Sequence, residues 1–356
     1  MDKKDILLIY LLKDFCKNHN IEDKYEIILN KLDRENILSL NSIKSIQLED
    51  NQLIEYIPKN DLIIKEKEYS KDKKNIIFYE NIGSGSFGNV FKSFHKIDKN
   101  DYAMKIVPIY TDMKKEKYIK EVETISKLNH PNVIRYYNSW IETILPLDLG
   151  KLILDGGDSL SEYSSESIIE NYEISEYLFI QMELCDSNLS DYFLKRNSIN
   201  FNDSIKIFKD ILNGLNYLHN LNIIHRDIKP SNIMFSNKIA KVGDFGMSIK
   251  LEKGEELVKS DNDYGTYNYL APEVIDKKEY SFYSDIYSIG IILFELLNHF
   301  ETQMERQKSL DLLKQNIFDD SFTSSYIKEK EYIKLLLNSN KLNRPLTGLI
   351  LEKMVY

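Results

Sequence analysis

Phosphate chemistry is the first possibility the residues raise. Gly83-Ser84-Gly85-Ser86-Phe87-Gly88-Asn89-Val90 follows a strand-like stretch, Ile76 to Ile82, and precedes another, Phe91 to Phe94. Glycines at this spacing let a hairpin backbone approach phosphate oxygens. A dinucleotide turn uses similar spacing but is followed by a helix, so the strand on the far side favours a phosphate-covering hairpin. Next comes Ala103-Met104-Lys105-Ile106, with a lysine inside an apolar strand. An unpaired ammonium there is costly to desolvate, so Lys105 needs anions. Between Met113 and Leu128 the residues Tyr118, Val122, Ile125 and Leu128 form one helical face, which Glu121 borders and Glu123 does not. Glu121 is therefore the expected partner of Lys105. Either residue seen alone would more often be an ordinary surface charge.

Two later segments fix several residue types at set spacing: His225-Arg226-Asp227-Ile228-Lys229-Pro230-Ser231-Asn232, then Asp244-Phe245-Gly246. With these the chain resembles the eukaryotic serine/threonine protein kinases. The resemblance implies that Asp227 accepts or orients the substrate hydroxyl proton and that Lys229 steadies the transferring phosphoryl group. Lys105 grips the ATP phosphates beside Glu121, and Asn232 and Asp244 hold magnesium ions. It also implies a nucleotide site formed by Ile82, Gly83, Ser84, Gly85, Ser86, Phe87, Gly88, Asn89, Val90, Ala103 and Lys105. Met182 is then the gatekeeper, and Glu183 to Cys185 the hinge against adenine. Ala271-Pro272-Glu273, Asp285 and Arg344 continue the match. In similar kinases Glu273 and Arg344 form a buried bridge and Asp285 braces the catalytic loop.

Asn132-Val133-Ile134-Arg135-Tyr136-Tyr137-Asn138-Ser139-Trp140, Leu178 to Glu183 and Met304-Glu305-Arg306 resemble the kinases of translation initiation factor 2 alpha. Wee-type cell-cycle kinases share the arginine-tyrosine-tyrosine stretch, and the Met304-Glu305-Arg306 segment favours the former. The implied partner is the factor 2 alpha subunit, docked on a helix at about 303–315 with Thr302 as N-cap and Glu305 in the capping-box position. A homodimer through the small lobe, with Lys71, Asn75 and Tyr102 at the matching places, or through the amino-terminal helices is also implied. Leu11 to Cys16 and Leu32 to Leu38 faintly resemble the heme-regulated member. Neither cysteine is followed by proline, as that member's regulatory cysteine is, so heme control is not expected. Asp261 stands where relatives carry a phosphorylated threonine. A scaffold that keeps the fold only to bind usually lacks one catalytic position, whereas Lys105, Glu121, Asp227, Asn232 and Asp244 are all present.

The elements that must position these residues follow from periodicity and composition. Residues 76 to 136 alternate short strands with one helix. From Asp191 onward the spacing is helical, as in Ile205, Phe208, Ile211, Leu212, Leu215 and Leu218. The expected fold is α+β and bilobal, with a small β-rich lobe carrying one regulatory helix, and a larger helical lobe. A small helical region over 1–64 and a charged linker over 65–75 precede the kinase domain at 76–356, which carries an insertion at about 143–176. With 356 residues, 42% hydrophobic and 29% charged, and a net charge of −9, the chain reads as globular and without a general nucleic-acid footprint. Its two cysteines are far apart, and its apolar runs, Ile6 to Leu12 and Ile289 to Leu297, are too short to span a membrane. A cytoplasmic location, no targeting segment and no membrane partner are expected.

Overall fold

The computed structural model describes residues 75–85, 88–109, 115–144, 175–252, 254–259 and 265–353, without the side chains at 84–85, 115–117, 120–121, 143–144 and 175. All belong to the compact unit Ser70–Tyr356. The expected helical region 1–64, the linker before Asn75, the insertion between 145 and 174, and Ser86, Phe87 and Asp261 lie outside the described residues.

The small lobe is a five-stranded antiparallel sheet in the order β1-β2-β3-β5-β4. Its strands are β1 (Ile76–Gly85), β2 (Gly88–His95), β3 (Asn100–Ile109), β4 (Tyr136–Ile144) and β5 (Ser175–Glu183). Alternation along the central strand β3 sends Met104 and Ile106 to one face, with Phe78, Phe91 and Phe179. Val107 and Ile109 go to the other, with Leu178, Ile180, and Tyr118 and Ile125 of helix α1 (Lys115–Ile125). Lys105 shares this second face and is only 7% exposed, so the sheet holds an ammonium among aliphatic side chains. Glu123 on α1 is exposed, as its place off the apolar face requires.

The large lobe is helical. After β6 (Ser187–Asn188) come α2 (Leu189–Lys195) and α3 (Phe201–Asn220). Asn200 caps α3 through the Asp203 amide, and the six predicted apolar residues from Ile205 to Leu218 are all buried. Each such side chain contributes about 1.5–3 kcal/mol. Short strands β7 (Ile223–Ile224), β8 (Ile233–Ser236), β9 (Ile239–Val242) and β10 (Ile249–Lys250) carry the loops between them, and β11 (Val258–Lys259) pairs with β12 (Glu279–Tyr280) after α4 (Pro272–Lys277). Helix α5 (Phe282–Leu296) runs through the core and is buried from Ser284 onward. The apolar run from Ile289 is thus a core helix, and no described helix is long and apolar enough to cross a membrane. Helices α6 (Gln303–Lys314), α7 (Asp320–Ser325), α8 (Ile327–Leu336) and α9 (Thr347–Lys353) complete the bilobal α+β fold expected from the sequence.

Candidate active site

Loop 225–232 between β7 and β8 is held from below by one buried carboxylate. Asp285 on α5 is 1% exposed and accepts from the backbone N–H groups of His225 and Arg226, both at 2.9 Å. The same carboxylate meets His219 Nε2 of α3 at 2.9 Å. Arg226 has the left-handed φ of 68°, unfavourable for a side-chain-bearing residue by about 1–2 kcal/mol. Those two carboxylate-bound amides are what hold it there. The Arg226 guanidinium donates to the Met247 carbonyl and lies over the Tyr280 ring. His225, fully buried, contacts the Gly243 carbonyl through Nε2 at 2.9 Å and packs against the Phe245 ring. It belongs to the loop's framework.

On this base Asp227 gathers three side chains. Its Oδ2 lies 2.8 Å from Lys229 Nζ and accepts from Asn232 Nδ2 at 3.0 Å, and its Oδ1 accepts from Thr266 Oγ1 at 3.4 Å. Asn232 Nδ2 also donates to the Asp227 carbonyl at 2.8 Å, which fixes the amide and turns its oxygen away from Asp227. Thr266 as a partner of Asp227 was not expected from the sequence, where it stands 39 residues downstream with only Gly265 to mark it.

Asp244, with a left-handed φ of 57°, meets Lys105 Nζ at 3.1 Å, and this ion pair crosses from the large lobe to the small one. Burial pushes the Asp244 carboxyl up. The Lys105 charge and hydrogen bond, His225 and the Gly246 N–H outweigh it and hold the carboxyl below its ordinary value. The expected Lys105–Glu121 pair cannot be placed, because the Glu121 side chain lies outside the described residues. Lys105 meets the Asp244 carboxylate across the cleft.

The glycine hairpin joins β1 and β2 in register, with Gly83 opposite Val90 and Gly85 opposite Gly88. Gly88 has φ 121°, and a Cβ there would stand 2.2 Å from the Ile106 carbonyl oxygen, so the hairpin can lie this close to β3 only with glycine. Ile82 is exposed and Val90 and Asn89 face Lys105 and Ile106 across β2 and β3. Ala103 is buried and in register with Met182, which is half-buried. Beyond it, Glu183 pairs with Lys241 of the large lobe at 3.0 Å, so its carboxylate ties the lobes together. Burial, then the charge of Glu183, pushes the Cys185 thiol up to about 12, leaving it a protonated, unreactive side chain at neutral pH.

Magnesium fits this donor set. Among the described residues no three His, Cys, Asp or Glu side chains converge as a cage. Asn232 and Asp244 offer two hard oxygens, which suits a cation that keeps waters and takes its remaining ligands from substrate phosphates.

Outside this cleft, Glu273 and Arg344 form the bidentate bridge expected of them, at 2.7 and 2.8 Å. Thr302 caps α6 through the Glu305 N–H at 3.1 Å. Glu305 does not close the box on Thr302 and accepts instead from the Glu301 N–H at 2.8 Å. Tyr102 donates to Asp98 within its own hairpin at 2.8 Å, and Lys71 lies outside the described residues.

A family profile described as "Protein kinase domain" matches residues 76–351. Over 296 residues the chain is 36% identical to the interferon-induced, double-stranded RNA-activated protein kinase of Rattus norvegicus, covering 80% of this chain and 52% of the relative. It is 28% identical over 403 residues to the eIF-2-alpha kinase GCN2 of Arabidopsis thaliana, covering 97% and 32%. Against eukaryotic translation initiation factor 2-alpha kinase 3 of Rattus norvegicus it is 36% identical over 195 residues, covering 51% and 18%. The chain spans about half the length of the first of these relatives.

Proposed function

The chain belongs to the protein kinase family, and from that premise we propose that it transfers the γ-phosphoryl group of ATP to a serine of translation initiation factor 2 alpha, repressing translation under stress. Residues 76–356 form the catalytic domain in this reading. The observation that carries the chemistry is the set around Asp227. Its carboxylate is buried and oriented by Lys229, Asn232 and Thr266, which suits a group that takes or orients the proton of an incoming hydroxyl. Lys229, beside it, is placed to meet the charge on the transferring group. Lys105 stands where the α and β phosphates pass under the glycine hairpin, and its bond to Asp244 keeps the ammonium at the cleft. Adenine sits against Ala103, Met182 and the segment Glu183 to Cys185. Asn232 and Asp244 would hold magnesium. When bound, the metal neutralises charge on the phosphates.

The substrate rests on a different support: relatives named for factor 2 alpha, together with α6, whose Met304 is 83% exposed beside the Thr302 cap. An in vitro assay with purified factor 2 alpha, a short serine peptide and a cyclin-dependent kinase tests both parts. Serine labelling of factor 2 alpha well above the peptide is expected. Tyrosine labelling of the cyclin-dependent kinase would favour the Wee-type reading, and no magnesium-dependent ATP turnover with any acceptor would leave a binding scaffold.

A further inference from the structure

Three ties join α6 to the turn Tyr267–Tyr269, which directly follows Thr266. Arg306 donates through Nε to Glu295 Oε1 at 2.7 Å and through Nη2 to the Tyr269 hydroxyl at 2.7 Å. That hydroxyl donates to Glu295 Oε2 at 2.8 Å, which closes a ring of three side chains. Gln307 and Asn268 exchange two amide hydrogen bonds, at 2.8 and 3.2 Å. Lys314 reaches the Tyr267 carbonyl at 3.4 Å and lies over its ring.

Glu295 is the unusual member. It stands 1% exposed in the apolar helix α5, where a carboxylate is unfavourable unless paired and hydrogen-bonded. Burial pushes its carboxyl up, and Arg306, the Tyr269 hydroxyl and Arg196 oppose that rise. An apolar pair would serve packing equally well. A guanidinium adds two donors in a rigid fork, and here one prong fixes the helix to the core and the other fixes it to the turn. The turn leads to the Thr266 hydroxyl beside Asp227, while the opposite side of α6 is open at Met304.

We propose that Arg306 is a positioning residue for protein substrates. It locks α6 to the Thr266 segment, so that a folded protein held on the outer side of α6 delivers its hydroxyl to Asp227 at a set distance. This rests on the reading of α6 as the docking helix. A short peptide has no second attachment and does not depend on the lock.

Arg306→Lys tests it, because lysine keeps a positive charge opposite Glu295 but cannot serve Glu295 and Tyr269 in the same geometry. Tyr269→Phe removes only the hydroxyl. For both variants the measurements are the thermal midpoint, amide hydrogen exchange across 267–270 and 304–314, and kcat/KM with factor 2 alpha and with a short serine peptide. The expected result is a midpoint lowered by no more than a few degrees and faster exchange in both segments together. kcat/KM for the protein falls about 10-fold, mostly in kcat, with the peptide little affected. Equal losses on protein and peptide, or no loss on the protein, would overturn the proposal. If wild-type enzyme ignores factor 2 alpha while the two segments still loosen together, the docking reading fails and the lock stands. If only one segment loosens, or neither, the lock fails whatever the substrate.

Discussion

In the large lobe the candidate site rests on buried charge, with Asp285 gripping two loop amides and His219, and Asp227 gripped in turn by Lys229, Asn232 and Thr266. In the small lobe it rests on backbone: a strand register puts Gly88 against Ile106 and Ala103 opposite Met182, and Lys105 reaches across to Asp244. The loop half is organised by ion pairs and hydrogen bonds within the large lobe. The sheet half includes a lysine that meets a carboxylate of the other lobe. The chemistry proposed for the hydroxyl thus depends on packing within one lobe, whereas the proposed grip on ATP depends also on a contact between the two.

The largest effect should come from separating chemistry from architecture. Asp227→Asn keeps the shape of the loop and an acceptor for Thr266 but cannot take a proton. Phosphoryl transfer should fall by about 10³-fold, with ATP affinity and thermal midpoint close to wild type. Retained turnover in a peptide assay would remove Asp227 from its proposed role.

Breaking the architecture beneath it comes next. Asp285→Ala leaves two amides and His219 without their buried acceptor, and the left-handed backbone at Arg226 without its restraint. A loss of about 3 kcal/mol is expected, which lowers the thermal midpoint of a unit this large by roughly 5 °C. Activity should fall with it. A stable variant that is merely slow would show that the loop is held by other means.

Lys105→Met cuts one of the ties between the halves and leaves the Glu183–Lys241 pair in place. The expected loss is about 10²-fold in kcat, with a small change in midpoint, since methionine suits the aliphatic face better than an ammonium does. The pH profile carries a second readout. A carboxyl held below its ordinary value, as Asp244 is, adds stability above its unfolded value and gives it up as pH falls through the folded one. Without Lys105 the burial of Asp244 is less opposed, so the acid limb of unfolding should begin at higher pH. An unshifted limb would mean that His225 and the Gly246 N–H suffice.

These differences also explain what could be read from the sequence. The loop 225–232, Asp244, the apolar face of α3 and the apolar run of α5 were legible because each lies in one short segment with its own pattern. Contacts closed between distant segments were not. Thr266 meets Asp227 from 39 residues away, and Tyr269 meets Glu295 from 26. One trace of the latter was present: a lone glutamate inside the run Ile289 to Leu297 needs a partner, but nothing in the run says which. The two-residue strands β6, β7, β10, β11 and β12 are too short to carry a period. Glu305 had the right spacing for a capping box, yet the chain entering α6 brings the Glu301 amide within its reach instead.

The smallest expected effect comes from a cap distant in sequence from either half, and it sharpens the contrast by changing stability alone. Asp319 is the N-cap of α7, accepting from the Phe322 N–H at 2.6 Å and from the Ser321 hydroxyl at 2.7 Å. The Phe322 amide pulls its carboxyl below the ordinary value, against a smaller opposing effect of burial and with Ser321 assisting. Asp319→Ala should cost about 1 kcal/mol near neutral pH, with kcat unchanged. Because the folded value is the lower one, this contribution is fully present above the unfolded value, near pH 4, and fades as pH falls through the folded one. The gap between wild type and Asp319→Ala should therefore be flat from about pH 5 to 8 and close in acid. Asp319→Asn keeps the acceptor but has nothing to titrate, so its gap from wild type should be smaller and its gap from alanine independent of pH. Chemical denaturation of the three proteins at pH 7 and at pH 3.5 separates the cap from its charge. An alanine gap that persists undiminished at the lower pH would show that the hydrogen bond to Phe322 does not need an ionised carboxylate.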